Sequence, residues 1–239
     1  MVVRRILAAS TGFGRDARGG WTVGPLVQAA IDLSARPRAP RIAYLGTAHG
    51  DRLEDAAMVH EAFTGTDAAV RVVRLLPQPN VPDLRETLLD QDVIHVGVGS
   101  VAGLLALWRL HGLDEILREA WDAGIVLTGA SAGSICWHVG GPTDSFGPDL
   151  RVITDGLGLL PYGNGVHYDS EAERRPLLHR TVADGTLPTS YATDNGVALL
   201  YEDTRLVDVL ADREGASAYR IERSGDAAEE TRLDARLLG

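Results

Sequence analysis

Short apolar runs alternate with longer segments of helical periodicity from the N-terminus to Ala130. The apolar runs predict strands, and apolar positions spaced three or four apart predict helices between them. The strands are expected at residues 2–9, 41–46, 70–76, 92–96 and 125–127, and the helices at 23–34, 51–63, 83–90, 100–108 and 114–123. This alternation predicts an α/β fold with a mostly parallel sheet, and the unbroken apolar character of the strands indicates helices on both faces of that sheet.

The pattern changes beyond Ser145, where glycine and proline become frequent. Short strands are expected at residues 197–201, 206–210 and 218–221, as antiparallel strands at the edge of the sheet. The polar, acidic tail after Ser224 is expected to fray. No repeat or linker interrupts the sequence, so residues 1–239 are predicted to form one domain.

Composition excludes several classes of function. The net charge is −10 and all 23 basic residues are arginine, which disfavours nucleic-acid binding and excludes a Schiff-base or P-loop lysine. Cys136 is the single cysteine, so disulfides and multi-cysteine zinc sites are excluded. The histidines lack metal-ligand spacing, and no apolar run is long enough for a membrane span or a secretory signal. We therefore expect a cytoplasmic protein without metal, cofactor, nucleic-acid or membrane partner.

The sequence Thr128-Gly129-Ala130-Ser131-Ala132-Gly133-Ser134 carries the strongest chemical signal. It contains G-x-S-x-G, directly after a predicted strand and before a segment that can be helical. This is the context of a nucleophile elbow, in which small neighbours allow a tight turn that exposes the serine hydroxyl. Ser131 is therefore the candidate nucleophile, and the amide of Ala132 at the helix N-terminus is a candidate oxyanion donor. The alternative is a structural turn with a capping serine.

A second glycine-rich loop, Gly97-Val98-Gly99-Ser100, follows the fourth predicted strand. Its spacing and its position do not fit a dinucleotide fingerprint, which belongs after a first strand and needs a ribose-binding acid. Loops at the carboxyl ends of neighbouring parallel strands converge, so this loop is expected beside Ser131. The amide of Gly99 is thus a second candidate oxyanion donor.

Seven histidines could supply a general base. His95 is expected in the core, and His138 lies on the same short helix as Ser131, where it cannot easily reach back to the hydroxyl. Three others are expected on exposed helices. His49 and His167 both lie in loops and remain candidates, with His167 favoured because its loop is rich in turn residues.

Four blocks in order resemble a known family: GASAGSICW, TDS, GNGVHYDSEAERRPLLH and ATDNGVAL. Together they resemble the serine peptidase family of dipeptidase E (aspartyl dipeptidase) and cyanophycinase, whose GGGN/GGGS loop is similar to the GVGS loop here. The resemblance implies a three-layer α/β sandwich similar to class I glutamine amidotransferases. It also implies that Ser131 is the nucleophile and His167 the general base, with oxyanion amides from Gly99 and Ala132.

The third member of the family's triad is usually a glutamate. The matching position here is Asn195, with Asp194 directly before it. Asparagine can orient an imidazole through its carbonyl oxygen but gives no charge stabilisation. Either Asp194 takes this role or the triad is weakened. If the segment is extended, only one of the two side chains can face His167.

The resemblance implies that short peptides are cleaved, with N-terminal aspartate as one expected residue. Candidates for binding substrate are Arg174 and Arg175 for a carboxylate, Asp144 and Asp169 for an ammonium group, and Ser100 in the GVGS loop. The main hypothesis is a serine exopeptidase that works through an acyl-enzyme. The alternatives are a cyanophycinase-like hydrolase of aspartyl–arginine side-chain amides and a non-catalytic binding or sensing module. The sequence does not determine the oligomeric state and leaves a homodimer open.

Overall fold

The computed structural model describes residues 2–239. The strands are β1 (Arg5–Ala9), β2 (Gly14–Arg15), β3 (Trp21–Thr22), β4 (Arg41–Leu45), β5 (Ala69–Val73), β6 (Val93–Val96), β7 (Val126–Ala130), β8 (Gly141–Thr143), β9 (Arg151–Ile153), β10 (Gly163–Gly165), β11 (Ser190–Thr193), β12 (Val197–Glu202), β13 (Arg205–Ala211), β14 (Ala218–Ser224), β15 (Ala227–Leu233) and β16 (Arg236–Leu237). The α-helices are α1 (Pro25–Asp32), α2 (Leu53–Ala62), α3 (Leu84–Leu89), α4 (Val101–His111), α5 (Leu113–Asp122), α6 (Ala132–Ile135) and α7 (Arg174–Ala183), and a 3-10 turn covers Thr47–His49.

An eight-stranded sheet forms the centre of the molecule, in the order β16-β13-β12-β1-β7-β6-β4-β5. Strands β1, β7, β6, β4 and β5 are parallel, whereas β12 is antiparallel to both β1 and β13. A second sheet has the order β10-β11-β14-β15, and two hairpins pair β2 with β3 and β8 with β9. The prediction of an α/β fold with a mostly parallel sheet is confirmed.

Both faces of the central sheet are buried. In β1, Ile6 and Ala8 belong to one apolar cluster, while Leu7 and Ala9 belong to another on the opposite face. The first cluster includes apolar residues of α3, α4, α5 and α6, and the second includes those of α1 and α2. Side chains alternate across a strand, so a strand with two buried faces must be apolar at every position. This explains the unbroken apolar runs.

Two predictions about the C-terminal region are wrong. Strand β12 lies inside the central sheet rather than at its edge, and β14 belongs to the second sheet. The tail after Ser224 does not fray, because β15 pairs with β14 along its whole length, from Ala218–Leu233 to Ser224–Ala227. One face of β15 packs against α7, where Glu230 pairs with Arg175. The strand was missed because it is half-exposed and most of its residues are polar, so it has no apolar run.

Three loops meet at the carboxyl edge of the parallel strands. They begin with Ser10 after β1, Gly97 after β6 and Ser131 after β7. Strand β1 pairs directly with β7, and β7 pairs directly with β6. This edge is where parallel α/β sheets form their sites, so the fold brings both glycine-rich loops of the sequence together.

Candidate active site

Ser131 lies in a strained turn between β7 and α6. Its backbone has φ 55° and ψ −109°, a conformation that L-residues adopt rarely. A Cβ added to Gly129 would lie 2.4 Å from the carbonyl oxygen of Gly133, and one added to Gly133 would lie 2.3 Å from that of Val96. The two flanking glycines are therefore required for the strand and the helix to approach so closely. This is the geometry that G-x-S-x-G predicts for a nucleophile elbow.

His167 connects Ser131 to Asn195. The distance from His167 Nε2 to Ser131 Oγ is 2.9 Å, and that from His167 Nδ1 to Asn195 Oδ1 is 2.6 Å. An amide oxygen only accepts hydrogen bonds, so Nδ1 carries the ring proton and donates it to Asn195. Nε2 is then left with a lone pair directed at the Ser131 hydroxyl. This is the tautomer that a general base needs.

The backbone of His167 is also fixed. Its φ is 54°, and its amide donates to Ser10 Oγ at 3.1 Å. The Ser10 hydroxyl is in turn 2.7 Å from Thr193 Oγ1 and 2.9 Å from the Thr193 carbonyl oxygen, all in a buried position. Ser10 follows β1 and Thr193 ends β11, so the two sheets together hold the imidazole in place. Sequence reasoning did not identify Ser10, although its position at the carboxyl end of the first strand was a usable signal.

Asn195 is held by three neighbours. Its Nδ2 donates to Ser170 Oγ at 2.9 Å, and its backbone amide donates to Asp169 Oδ1 at 2.9 Å. Arg213 Nε donates to the Asn195 carbonyl oxygen at 2.6 Å, and the same guanidinium pairs with Asp169. The amide side chain is thereby oriented with its oxygen towards His167. Asp169 is occupied in this network and is not free for a substrate ammonium group.

Asp194 faces away from the imidazole. It is 5% exposed, and its Oδ2 accepts from the Ser217 amide at 3.0 Å and from the Tyr219 hydroxyl at 3.4 Å. Burial raises the pKa of Asp194 above its ordinary value, and the hydrogen bond from Ser217 opposes this rise. Of the two candidates for the third position, the structure brings only Asn195 into contact with His167.

Two backbone amides near Ser131 are available for a ligand. Within residues 2–239, neither the Gly99 amide nor the Ala132 amide donates to a protein acceptor. Gly99 has φ 129°, and a Cβ added there would lie 2.2 Å from the Ala48 carbonyl oxygen, so this loop packs tightly against the 3-10 turn that follows β4. The Ser100 amide does donate, to the Ala48 carbonyl oxygen at 2.7 Å. The amides of Gly99 and Ala132 therefore stay the predicted oxyanion donors.

The remaining predicted substrate residues are mostly engaged elsewhere. The Ser100 hydroxyl caps α4 by accepting from the Gly103 amide at 3.0 Å. Arg174 is 3% exposed and donates to Glu171 and to the Pro142 carbonyl oxygen, both at 2.7 Å. Arg175 pairs with Glu230 and stacks over Tyr168 and Tyr219. Asp144 is exposed and lines a separate cleft of about 660 Å³. None of these side chains hydrogen-bonds to Ser131 or His167 within the described part of the chain.

A cavity of about 230 Å³ adjoins the Ser131 turn. Ala130 and His167 form one wall, and the other walls come from apolar side chains that sequence reasoning did not connect with the site. These side chains are Phe13, Trp21, Tyr44, Met58 and Val98. They come from five separate segments, so no local motif could have revealed them.

His95 lies in the core as the sequence predicts, whereas His138 lies beyond α6, which ends at Ile135, rather than on that helix. His95 is 3% exposed in the core, stacked on Tyr44, and burial lowers its pKa to about 4. His138 is fully buried with a pKa also lowered to about 4 by burial, and its Nδ1 is 2.9 Å from the Ser134 carbonyl oxygen. His49 lies beside Asp55, at 3.0 Å.

Residues 2–239 contain neither a metal-binding cluster nor a helix that could span a membrane. No three His, Cys, Asp or Glu side chains in this range converge so that they could hold a metal ion. In the same range, every helix is too short or too polar to cross a bilayer.

The family model of peptidase family S51 matches residues 20–209. An uncharacterized peptidase of Bacillus subtilis, YgaJ, is 38% identical over 225 residues, which cover 92% of this chain and 96% of that protein. Peptidase E of Shewanella amazonensis is 30% identical over 144 residues, covering 55% of this chain and 59% of that protein. The solved structure of a peptidase from an acI-B1 Actinobacterium has a TM-score of 0.69 and 16% identity, covering 98% of this chain and 95% of that one. The serine elbow and its histidine thus lie within a chain that belongs to peptidase family S51.

Proposed function

We propose that this peptidase uses Ser131 as its nucleophile and releases the N-terminal residue of short peptides through an acyl-enzyme. The observation that carries this proposal is the chain of contacts from Ser131 Oγ to His167 Nε2 at 2.9 Å and from His167 Nδ1 to Asn195 Oδ1 at 2.6 Å. The exopeptidase part rests on the resemblance to dipeptidase E. We further propose that residues 1–239 act as one domain of the class I glutamine amidotransferase-like type.

The reaction begins when the Ser131 hydroxyl attacks the peptide carbonyl carbon and His167 Nε2 takes the hydroxyl proton. The resulting oxyanion accepts hydrogen bonds from the amides of Gly99 and Ala132, each worth about 3 kcal/mol in comparable sites. The imidazolium then gives its proton to the leaving amine, and the C–N bond breaks. Water, deprotonated by the same imidazole, attacks the acyl-enzyme, and the proton returns to Ser131 when the acid product leaves.

Asn195 has a defined role in this scheme. Its oxygen holds the Nδ1–H tautomer of His167, but it carries no charge to stabilise the imidazolium. In serine proteases, changing the acid of the triad to asparagine lowers kcat by about 10⁴, chiefly because the wrong tautomer is held. Here the oxygen already faces Nδ1, so the tautomer is correct and only the charge is missing. We therefore propose a working triad that is slower than one with a carboxylate.

A preference for N-terminal aspartate is not part of the proposal. The side chains expected to bind its carboxylate, Arg174 and Arg175, are paired with Glu171 and Glu230. A charged ligand would have to break these pairs to reach either guanidinium.

One alternative substrate class has an observation in its favour. The cleft of about 660 Å³ is lined by Asp144, Asp149, Glu171 and Glu173 together with Arg180. The Glu171 amide donates to the His167 carbonyl oxygen at 3.0 Å, so one residue of the cleft lining lies a single backbone turn after His167. An arginine side chain would complement this acidic lining, as in the aspartyl–arginine units that a cyanophycinase-like hydrolase cleaves. Faster release of arginine from β-aspartyl-arginine than from ordinary dipeptides would favour this alternative.

The test of the proposed function is hydrolysis of a dipeptide library by the wild type and by Ser131→Ala. Alanine fits the elbow, so the variant should fold with unchanged circular dichroism and lose hydrolysis by about 10³-fold or more. Asn195 also allows a non-catalytic module on the same fold. A folded wild type that hydrolyses no peptide, or a variant that retains a tenth of the activity, would contradict the proposal.

A further inference from the structure

The cavity beside the Ser131 turn is apolar and aromatic. Phe13, Trp21, Tyr44, Met58 and Val98 supply its walls, and we call it the aromatic pocket. Its lining has no aspartate, glutamate or arginine among residues 2–239. The polar side chains in the lining, apart from the Tyr44 hydroxyl, are those of Ser10, Thr11, His95 and His167.

The aromatic rings of the pocket pack against one another and against the rings behind them. The Phe13 ring lies 6.1 Å from Tyr44, 5.2 Å from His95 and 6.1 Å from Phe63, measured between centroids. The Tyr44 and His95 rings are stacked at 5.9 Å. A ring cluster of this kind has little freedom to rearrange, so the pocket is preorganised for an apolar group.

The electrostatics of the pocket disfavour an anion. Burial lowers the pKa of His95 to about 4, so its imidazole is neutral at pH 7 and cannot pair with a carboxylate. Burial, with the nearby charges of Asp55 and Asp51, raises the pKa of Tyr44. A carboxylate in this pocket would lose its hydration without gaining an arginine as its partner, which is costly.

The size of the pocket suits one large side chain. A cavity of about 150 Å³ lined by apolar groups is known to hold a benzene ring. At about 230 Å³, the aromatic pocket has room for a benzyl, isobutyl or thioether side chain. Because Ala130 and His167 line it, a side chain bound there lies next to the reacting serine.

We infer that the aromatic pocket binds the side chain of the residue whose carbonyl Ser131 attacks, and that this residue is phenylalanine, leucine or methionine rather than aspartate. The inference rests on the proposed function for the identity of the reacting serine. The lining of the pocket thus indicates the substrate class, which is short peptides with an apolar N-terminal residue.

The first test is binding to Ser131→Ala, which does not depend on turnover. Phe-Ala and Asp-Ala are titrated into the variant by calorimetry, with Gly-Ala as the reference. Phe-Ala should bind at least about tenfold more tightly than Asp-Ala, since an apolar side chain gains from burial and a carboxylate does not. Equal or tighter binding of Asp-Ala would overturn the inference.

The second test places a cation in the pocket. Met58→Arg should lower kcat/KM for Phe-Ala relative to Asp-Ala by about tenfold or more, because the guanidinium fills the pocket and attracts a carboxylate. The matched control is Leu110→Arg, which adds the same charge at a residue of α4 that is 76% exposed. An unchanged ratio in a folded Met58→Arg protein would overturn the inference. Trp21→Ala, in the half-exposed β3, replaces this variant if Met58→Arg does not fold. It should weaken the binding of Phe-Ala more than the binding of Gly-Ala.

Failure of this inference and failure of the proposed function give different results. If wild-type Ser131 reacts with a fluorophosphonate but the protein does not prefer Phe-Ala to Asp-Ala, the pocket assignment is wrong and the serine chemistry stands. If Phe-Ala binds selectively while Ser131 neither reacts nor hydrolyses, the pocket assignment stands and the catalytic proposal is wrong.

Discussion

Replacing Asn195 by aspartate is expected to make this peptidase faster. The side-chain oxygen already lies 2.6 Å from His167 Nδ1, so the substitution keeps the contacting oxygen and adds a negative charge. The second carboxylate oxygen would replace Nδ2, which now donates to Ser170 Oγ at 2.9 Å. The Ser170 hydroxyl now donates to the His167 carbonyl oxygen at 3.4 Å, and it can rotate to donate to the new carboxylate oxygen instead.

The size of the effect follows from the geometry. At an effective dielectric constant of about 20, two opposite charges about 4 Å apart attract by about 4 kcal/mol. His167 and Asn195 are both half-buried, and the neighbouring Asp169 carboxylate opposes a second negative charge, although Arg213 offsets part of this repulsion. A net gain of about 1 to 3 kcal/mol in the transition state corresponds to roughly a five- to 150-fold rise in kcat/KM.

The assay is a pair of pH–rate profiles for Asn195→Asp and Asp194→Asn on one dipeptide. The first variant should be faster, and the acid limb of its profile should move to higher pH, because the new carboxylate favours the protonated imidazole. The second variant should change kcat/KM by less than about threefold, since Asp194 accepts from Ser217 and Tyr219 rather than from His167. If Asp194→Asn abolishes turnover and Asn195→Asp changes nothing, the assignment of the third position is wrong.

Three further outcomes are expected. Gly133→Ala should lower both stability and activity, because its Cβ would lie 2.3 Å from the Val96 carbonyl oxygen, and overpacking of this kind costs about 1–3 kcal/mol or more; an unchanged melting temperature would contradict the elbow geometry. Hydrolysis should persist in EDTA, since no metal-ligand cluster is found in residues 2–239, and loss with recovery on added zinc would refute a metal-free reaction. The lowered pKa of about 4 for buried His95 means that the unfolded chain binds a proton that the folded chain does not, so stability present at neutral pH is lost as pH falls below about 6.5 towards 4. Between pH 8 and 5, His95 should lower the free energy of unfolding by an amount on the order of 2 kcal/mol. Urea unfolding at the two pH values checks this, because His95→Phe should lose less stability over this range than the wild type.

Local patterns were sufficient to predict the parallel half of the fold and the elbow at Ser131. The elbow is encoded in seven consecutive residues, so the residues that determine its geometry are adjacent in sequence. The contact of Ser131 with His167 and of His167 with Asn195 joins residues 36 and 28 positions apart. Local context left both His49 and His167 as candidates, and the positions of His167 and Asn195 came from the resemblance to the family, laid on this sequence without gaps.

The features that sequence reasoning missed depend on contacts between distant segments. Ser10 and His167 are 157 residues apart along the chain, and they meet only because β1 and β11 end at the same place. Arg174 is a candidate for binding a substrate carboxylate in the sequence, yet it is buried against Pro142 and Glu171. The sequence predicts a frayed tail at β15 because this segment has few apolar residues. Its packing comes instead from the partner strand β14 and from α7.

The most direct test of the catalytic proposal is reaction with a fluorophosphonate, followed by intact-mass measurement and peptide mapping. One equivalent should attach to Ser131, none should attach in Ser131→Ala, and the rate should fall sharply in His167→Gln, which cannot act as the base. Labelling at another serine, or a folded wild type that is not labelled at all, would contradict the assignment of Ser131 as the nucleophile.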